Sequence, residues 1–208
     1  MRRGFLGGTF DPVHVGHLDV ATAAQRALSL DGVELLPAGV PPHRRLPVAS
    51  ASDRLAMARL AVTGREGLSV SDLEVSHAGP SYTIVTLNRL AGLGLDTKRL
   101  FFIAGADAFR DIVTWKDYPA FLDRCHFVAV SRPGSAASTL PADLPELAAR
   151  MVEAPCGVPP RPSIFLVEAA TAAVSSTEVR RRVAAGESLD GLVPDPVAAY
   201  IRSHGLYA

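Results

Sequence analysis

Short apolar runs alternate with stretches of helical periodicity along most of this chain, and few folds accept that order. Arg3 to Gly8 is apolar and ends in two glycines. His17 to Leu28 follows, with Leu18, Ala21, Ala24 and Leu28 at the three- and four-residue intervals of one helix face. The pattern repeats with Val33 to Pro37 as a strand, Ser52 to Val62 as a helix capped by Ser50 or Ser52, and Leu68 to Val75 as a strand. Ser81 to Leu90 reads as a helix, Leu100 to Ala104 as a buried strand, Phe121 to Arg124 as a short helical segment, and Phe127 to Val130 and Ile164 to Val167 as strands. Ser176 to Ala185 and Asp195 to His204 close the chain as helices, the second ended by Gly205. Strand–helix–strand units return parallel through right-handed crossovers, so this order predicts an α/β, Rossmann-like fold: a mostly parallel sheet with helices on both faces. Residues 1–208 are expected to form a single domain. Gly134 to Pro162, rich in Ala, Pro and Ser with only Leu144 to Val152 patterned as a helix, is expected to be a surface excursion.

Composition narrows the function classes. At 208 residues, 48% apolar and 20% charged, the chain has the make-up of a globular domain and not of a disordered or fibrous one. Lys plus Arg and Asp plus Glu both number 21, leaving no net charge to attract a polyanion over the whole surface, so nucleic-acid binding is not expected. A local phosphate site stays open, since all the cations but Lys98 and Lys116 are arginines. Cys125 and Cys156 have no CxxC spacing and read as reduced thiols of a cytoplasmic protein. Met1-Arg2-Arg3-Gly4-Phe5-Leu6 looks like a twin-arginine export signal, but Asp11 and His14 interrupt the apolar stretch behind it, and it is read as the first strand. No run approaches the ~18 apolar residues of a membrane span, so a soluble, cytoplasmic chain is expected.

In an open parallel sheet, ligands bind beyond the carboxyl ends of the strands. The first such turn reads Gly7-Gly8-Thr9-Phe10-Asp11-Pro12-Val13-His14-Val15-Gly16-His17. Gly7 and Gly8 let the backbone approach a ligand, and the new helix offers unpaired amides and the positive end of its dipole, a set suited to phosphate. His14 and His17, one helical turn apart, can both donate to one anionic centre. The plain alternatives are a turn residue and a helix cap, or a metal pair, for which no third ligand of matching spacing stands out. No GxGxxG follows a strand and no Gly-Lys of a P-loop occurs, which excludes the common dinucleotide and triphosphate motifs.

The His14-Val15-Gly16-His17 core resembles the signature of the HxGH nucleotidyltransferases. Further segments narrow the resemblance to the bacterial nicotinate-nucleotide adenylyltransferases: Pro41-Pro42-His43-Arg44, Gly79 to Thr83, Gly105-Ala106-Asp107 with Trp115 beyond, Arg132-Pro133-Gly134, Ser175 to Arg180, and Gly205-Leu206-Tyr207. They span nearly the whole chain. The resemblance implies that His14 and His17 are catalytic, and that ATP is bound by Gly8, Thr9, Phe10, His14, His17, Gly105, Asp107, Ser176, Thr177 and Arg180. It places the acceptor nucleotide at His43, Arg44, Tyr82, Thr83, Trp115, Lys116 and Arg132. Read from the residues alone, Gly105 and Asp107 could equally be a turn and a cap, Trp115 a core residue, and His43 with Arg44 an exposed basic loop. Lys116 stands where many relatives carry an aromatic.

The implied reaction joins ATP and nicotinate mononucleotide into nicotinate adenine dinucleotide with release of pyrophosphate, assisted by Mg²⁺ that arrives with ATP and needs no protein metal site. The rival readings are an adenylyltransferase for nicotinamide mononucleotide or phosphopantetheine, and a nucleotide sensor without turnover. Homo-oligomerisation stays open. As exposed groups of a ligand site, both histidines are expected to contribute little to folding.

Overall fold

A computed structural model of the chain describes residues 1–42, 46–154 and 159–208. Arg3–Gly8 is β1, and its side chains divide between two cores as strand geometry demands: Phe5 enters one, Leu6 the other. The same alternation holds in Leu100–Gly105 (β4), where Phe101 and Ile103 face one side and Phe102 and Ala104 the other. It recurs in His126–Val130 (β5). Strands buried on both faces require covering layers on both, which explains why these runs are continuously apolar.

Among the described residues seven strands form one sheet in the order β3-β2-β1-β4-β5-β7-β6, with Gly32–Pro37 as β2, Leu68–Val70 as β3, Met151–Glu153 as β6 and Ile164–Val167 as β7. Every pairing among them is parallel. One face is covered by Val15–Ala27 (α1), Ala51–Val62 (α2), Ser176–Ala184 (α6) and Asp195–Ser203 (α7), through residues such as Leu18, Met57, Val179 and Ile201. The other is covered by Thr83–Gly92 (α3), the short Ala106–Phe109 (α4) and Leu140–Asp143 (α5) and neighbouring 3-10 turns, through Leu87, Phe109, Phe121 and Leu140. The Rossmann-like α/β expectation holds. Among the described residues no helix is long and apolar enough to cross a membrane.

Two expectations are corrected. The strand expected over Leu68 to Val75 stops at Val70, because β3 is an edge strand that pairs with β2 over three positions before the chain turns away. The segment expected as a surface excursion at 134–162 also contributes to the core. Ala137, Leu140, Leu144 and Leu147 are buried there, and β6 pairs with β7 to extend the sheet by one edge strand.

The strand order fixes where a ligand can sit. β1 lies between β2 and β4, so the connections leaving β1 and β4 diverge to opposite faces and open a crevice at their carboxyl ends.

Candidate active site

The chain leaves β1 through Gly7 and Gly8. A Cβ on Gly8 would lie 2.7 Å from the Phe10 ring, so the turn packs on itself only because no side chain is there. Phe10 is in the left-handed region (φ 51°) and 1% exposed, with its ring edge-on to His17 at 4.9 Å. Its side chain belongs to the core, leaving only its backbone to meet a ligand.

His14 caps α1, and His17 stands one turn in. The backbone N–H of His14 donates to His17 Nδ1 at 3.2 Å. A ring nitrogen that accepts carries no proton, so the His17 proton sits on Nε2 as a donor. The two imidazoles stack with centroids 3.6 Å apart. His14 is 1% exposed, and among the described residues its Nδ1 has no hydrogen-bond partner. Burial, with the Arg132 guanidinium adding to it, pushes His14 down to about 3, which keeps the ring neutral near pH 7. The expectation of an exposed His14 is therefore corrected: the packed turn and α1 cover it on nearly every side.

The start of α6 docks against this turn. Ser175 caps the helix by accepting from the Glu178 N–H at 3.1 Å. Ser176 Oγ donates to the Pro12 carbonyl at 2.9 Å, and Arg180 donates to the Asp11 carbonyl at 2.6 Å and to Thr177 Oγ1 at 3.2 Å. Between turn and helix lies a cavity walled by Thr9, His14, His17, Ser176, Thr177 and Arg180. The guanidiniums of Arg180 and Arg132, the Thr9 and Thr177 hydroxyls and a helix amino end line this cavity together with the Asp11 and Asp107 carboxylates, and the donors among them suit an anion.

A second cavity, about 350 Å³, opens on the other side of His17. Gly8, Tyr82, Thr83, Trp115 and Lys116 line it together. Trp115 is half-buried, edge-on to Phe102 at 6.3 Å and stacked on Phe121 at 6.1 Å. Lys116 Nζ lies 4.8 Å from the centroid of the Tyr82 ring. Thr83 opens α3, and among the described residues no side-chain hydrogen bond caps that end. Gly105 also leaves room for its neighbours: a Cβ there would come within 2.4 Å of Asp107 Oδ1 and 2.6 Å of Arg132 Cδ, and both side chains would have to move. Arg132 pairs with Asp107 at 3.4 Å. Thr9, His17, Asp107, Arg132 and Ser176 line both cavities, which makes the site one continuous crevice. Arg132 stands at this junction beside Asp107 and close enough to act on His14. His43 and Arg44 lie outside the described residues.

Sequence reasoning missed buried ionisable groups at this site, Arg54 and Glu74 among them. Arg54 is 1% exposed and donates to the carbonyls of Thr9 (2.7 Å), Gly39 (3.0 Å) and Ala49 (3.3 Å). Its signal was its position: it shares the buried face of α2 with Met57, Ala58 and Ala61. Glu74 lines the second cavity, is 7% exposed and accepts from Thr86 Oγ1 at 2.6 Å; burial raises its carboxyl above the usual range. Nothing in its local sequence marks it, because it lies in a loop.

Comparison with known proteins identifies the family. Residues 5–182 match the cytidylyltransferase-like family model. A protein of Desulfatibacillum aliphaticivorans named a probable nicotinate-nucleotide adenylyltransferase is 42% identical over 220 aligned positions, covering 100% of both chains. One of the same name from Pseudomonas aeruginosa is 43% identical, covering 99% of this chain and 97% of that one. Among solved structures, the Plasmodium falciparum nicotinic acid mononucleotide adenylyltransferase complexed with NaAD superposes with a TM-score of 0.73 over 99% of this chain and 97% of that one; at 15% identity this likeness concerns the fold. With family model, full-length relatives and fold in agreement, this chain belongs to the cytidylyltransferase-like family, among the nicotinate-nucleotide adenylyltransferases.

Proposed function

We propose that the chain transfers the adenylyl group of ATP to nicotinate mononucleotide, giving nicotinate adenine dinucleotide and pyrophosphate in the biosynthesis of NAD. The observation that carries this reading is the crevice in which an anion cavity and a ring-sized cavity meet at His17. The relatives' names supply the substrates.

In this reading the triphosphate lies against Thr9, His14, His17 and the start of α6, with the adenosine toward Gly105 and Asp107. The acceptor's pyridine ring lies on Trp115, and its carboxylate takes hydrogen bonds from the amides of Thr83 and Lys116. An acceptor phosphate oxygen attacks the α-phosphorus in line; the new P–O bond forms as the bond to the β-phosphate oxygen breaks, and pyrophosphate leaves with the electron pair. No protein nucleophile is needed, so the residues act by alignment and charge stabilisation. His17 Nε2–H donates to an α-phosphoryl oxygen as charge builds there, and neutral His14 stacks against it and fixes its plane. Among the described residues no group of three or more His, Cys, Asp or Glu could cage a metal. Mg²⁺ arriving with ATP would be held by phosphate oxygens and water and would supply charge neutralisation at the leaving pyrophosphate.

A carboxylate can accept from two amides at once. A carboxamide has one acceptor oxygen and turns its NH₂ toward a donor, which costs about 1–3 kcal/mol per group left unpaired. Pyrophosphate release measured with nicotinate mononucleotide, its nicotinamide analogue and phosphopantetheine tests the reading. The first is expected to exceed the second at least tenfold in kcat/KM and the third to be inert; equal values for the two mononucleotides would refute the acceptor assignment.

A further inference from the structure

Tyr207, next to last in the chain, is buried in the main core, and its hydroxyl donates to Asp11 Oδ1 at 2.8 Å across 196 positions of sequence. Asp11 is 6% exposed and serves as a hub behind the phosphate turn. Its carboxylate also accepts from the N–H groups of Val48 at 2.8 Å and Ala49 at 3.0 Å. Its backbone carbonyl takes the 2.6 Å hydrogen bond from Arg180, while its Oδ2 stands 3.9 Å from the same Arg180 Nη1. The adenylyl-transfer scheme uses neither Asp11 nor Tyr207.

We propose that Tyr207 is a positioning residue for the ATP site: by holding the Asp11 carboxylate from behind, it leaves the outer face of the Arg180 guanidinium to the triphosphate. The inference rests on the reading of the crevice above. A carboxylate 3.9 Å from a guanidinium competes with phosphate for the same charge. Here three donors hold it back: Tyr207 Oη–H and the Ala49 amide on Oδ1, and the Val48 amide on Oδ2, the oxygen that stands 3.9 Å from Arg180. Without the Tyr207 hydroxyl, Oδ1 keeps only the Ala49 amide, and rotation of the carboxylate toward Arg180 becomes its best replacement for the lost donor. Arg180 is then paired internally when ATP arrives. The burial that makes this lever effective also pushes the Tyr207 phenol up, so the group stays a donor throughout the working pH range.

The test is Tyr207→Phe, compared with Tyr200→Phe. Tyr200 lies on α7, and its hydroxyl makes a hydrogen bond of like length, 2.9 Å, to Asp53 Oδ1, away from the crevice. Binding of a non-hydrolysable ATP analogue by calorimetry, without acceptor, is expected to weaken about tenfold in Tyr207→Phe, a shift of the size one charge-assisted contact carries. KM for the acceptor should stay within twofold, and Tyr200→Phe should leave the ATP affinity as in the wild type. Unchanged ATP affinity in Tyr207→Phe, equal loss for both substrates, or failure of that variant to fold would overturn the proposal, the last by assigning the hydroxyl to the fold alone. The analogue needs no acceptor, so a wrong acceptor assignment would appear separately, as wild-type protein that binds ATP but forms no dinucleotide.

Discussion

A buried imidazole with an unpaired ring nitrogen, as in His14, costs a fold about 1–3 kcal/mol. Such a cost is retained at working sites. We expect His14→Ala and His17→Ala each to lower turnover by at least two decades, as loss of one transition-state donor or its support does; near-normal steady-state rates in either would remove the pair from the mechanism. Burial adds a pH signature. The folded value of about 3 lies below the ordinary 6.5, so between them the unfolded chain binds the extra proton. Stability is therefore flat above pH 6.5 on this account and declines as pH falls toward 3. Thermal unfolding from pH 7 to 4 should show this decline, and His14→Asn should flatten part of it. An identical slope in the variant would contradict a buried, neutral His14. The glycine turn and the histidine spacing made the pair legible in the sequence, but its burial was not, because the atoms that cover His14 come from α1 and from the turn folding back on itself.

Elements with strong local periodicity were legible nearly to the residue: β1 and β7 coincide with their apolar runs, and α2 begins after the Ser50 cap. β6 was not. Met151 and Val152 fall at the end of the Leu144 to Val152 stretch patterned as a helix, and what makes β6 a strand is its parallel pairing with β7. On the proposed reading, the elements that frame the site divide the labour between substrates. Arg180→Ala, on α6, should raise KM for ATP more than tenfold with little change for the acceptor. Trp115→Ala, before the loop that faces α3, should do the reverse. Steady-state kinetics with each substrate varied in turn checks both, and interchange of the two patterns would reverse the assignment of the two cavities. Arg180 also holds the Asp11 carbonyl, so part of its effect will come through the turn.

On the scale of the whole molecule, the sheet order explains why the two cavities open into one crevice. β1 sends its chain to one face and β4 sends its chain to the other, so Gly8 and Gly105 stand at adjacent strand ends beneath a single opening. The two cores behind it fix those ends, and the chain's last residues return to the first turn. That closure joins positions 11 and 207, and local patterning could not reveal it. Everything in the account converges on an α-phosphorus held between the two cavities. The most direct measurement is incubation of the protein with Mg²⁺, nicotinate mononucleotide and ATP labelled on its α-phosphorus. The account predicts that the label moves into a dinucleotide with the mobility of nicotinate adenine dinucleotide, in step with an equal amount of pyrophosphate. Label that stays in ATP, or leaves it as free AMP without dinucleotide, would contradict it.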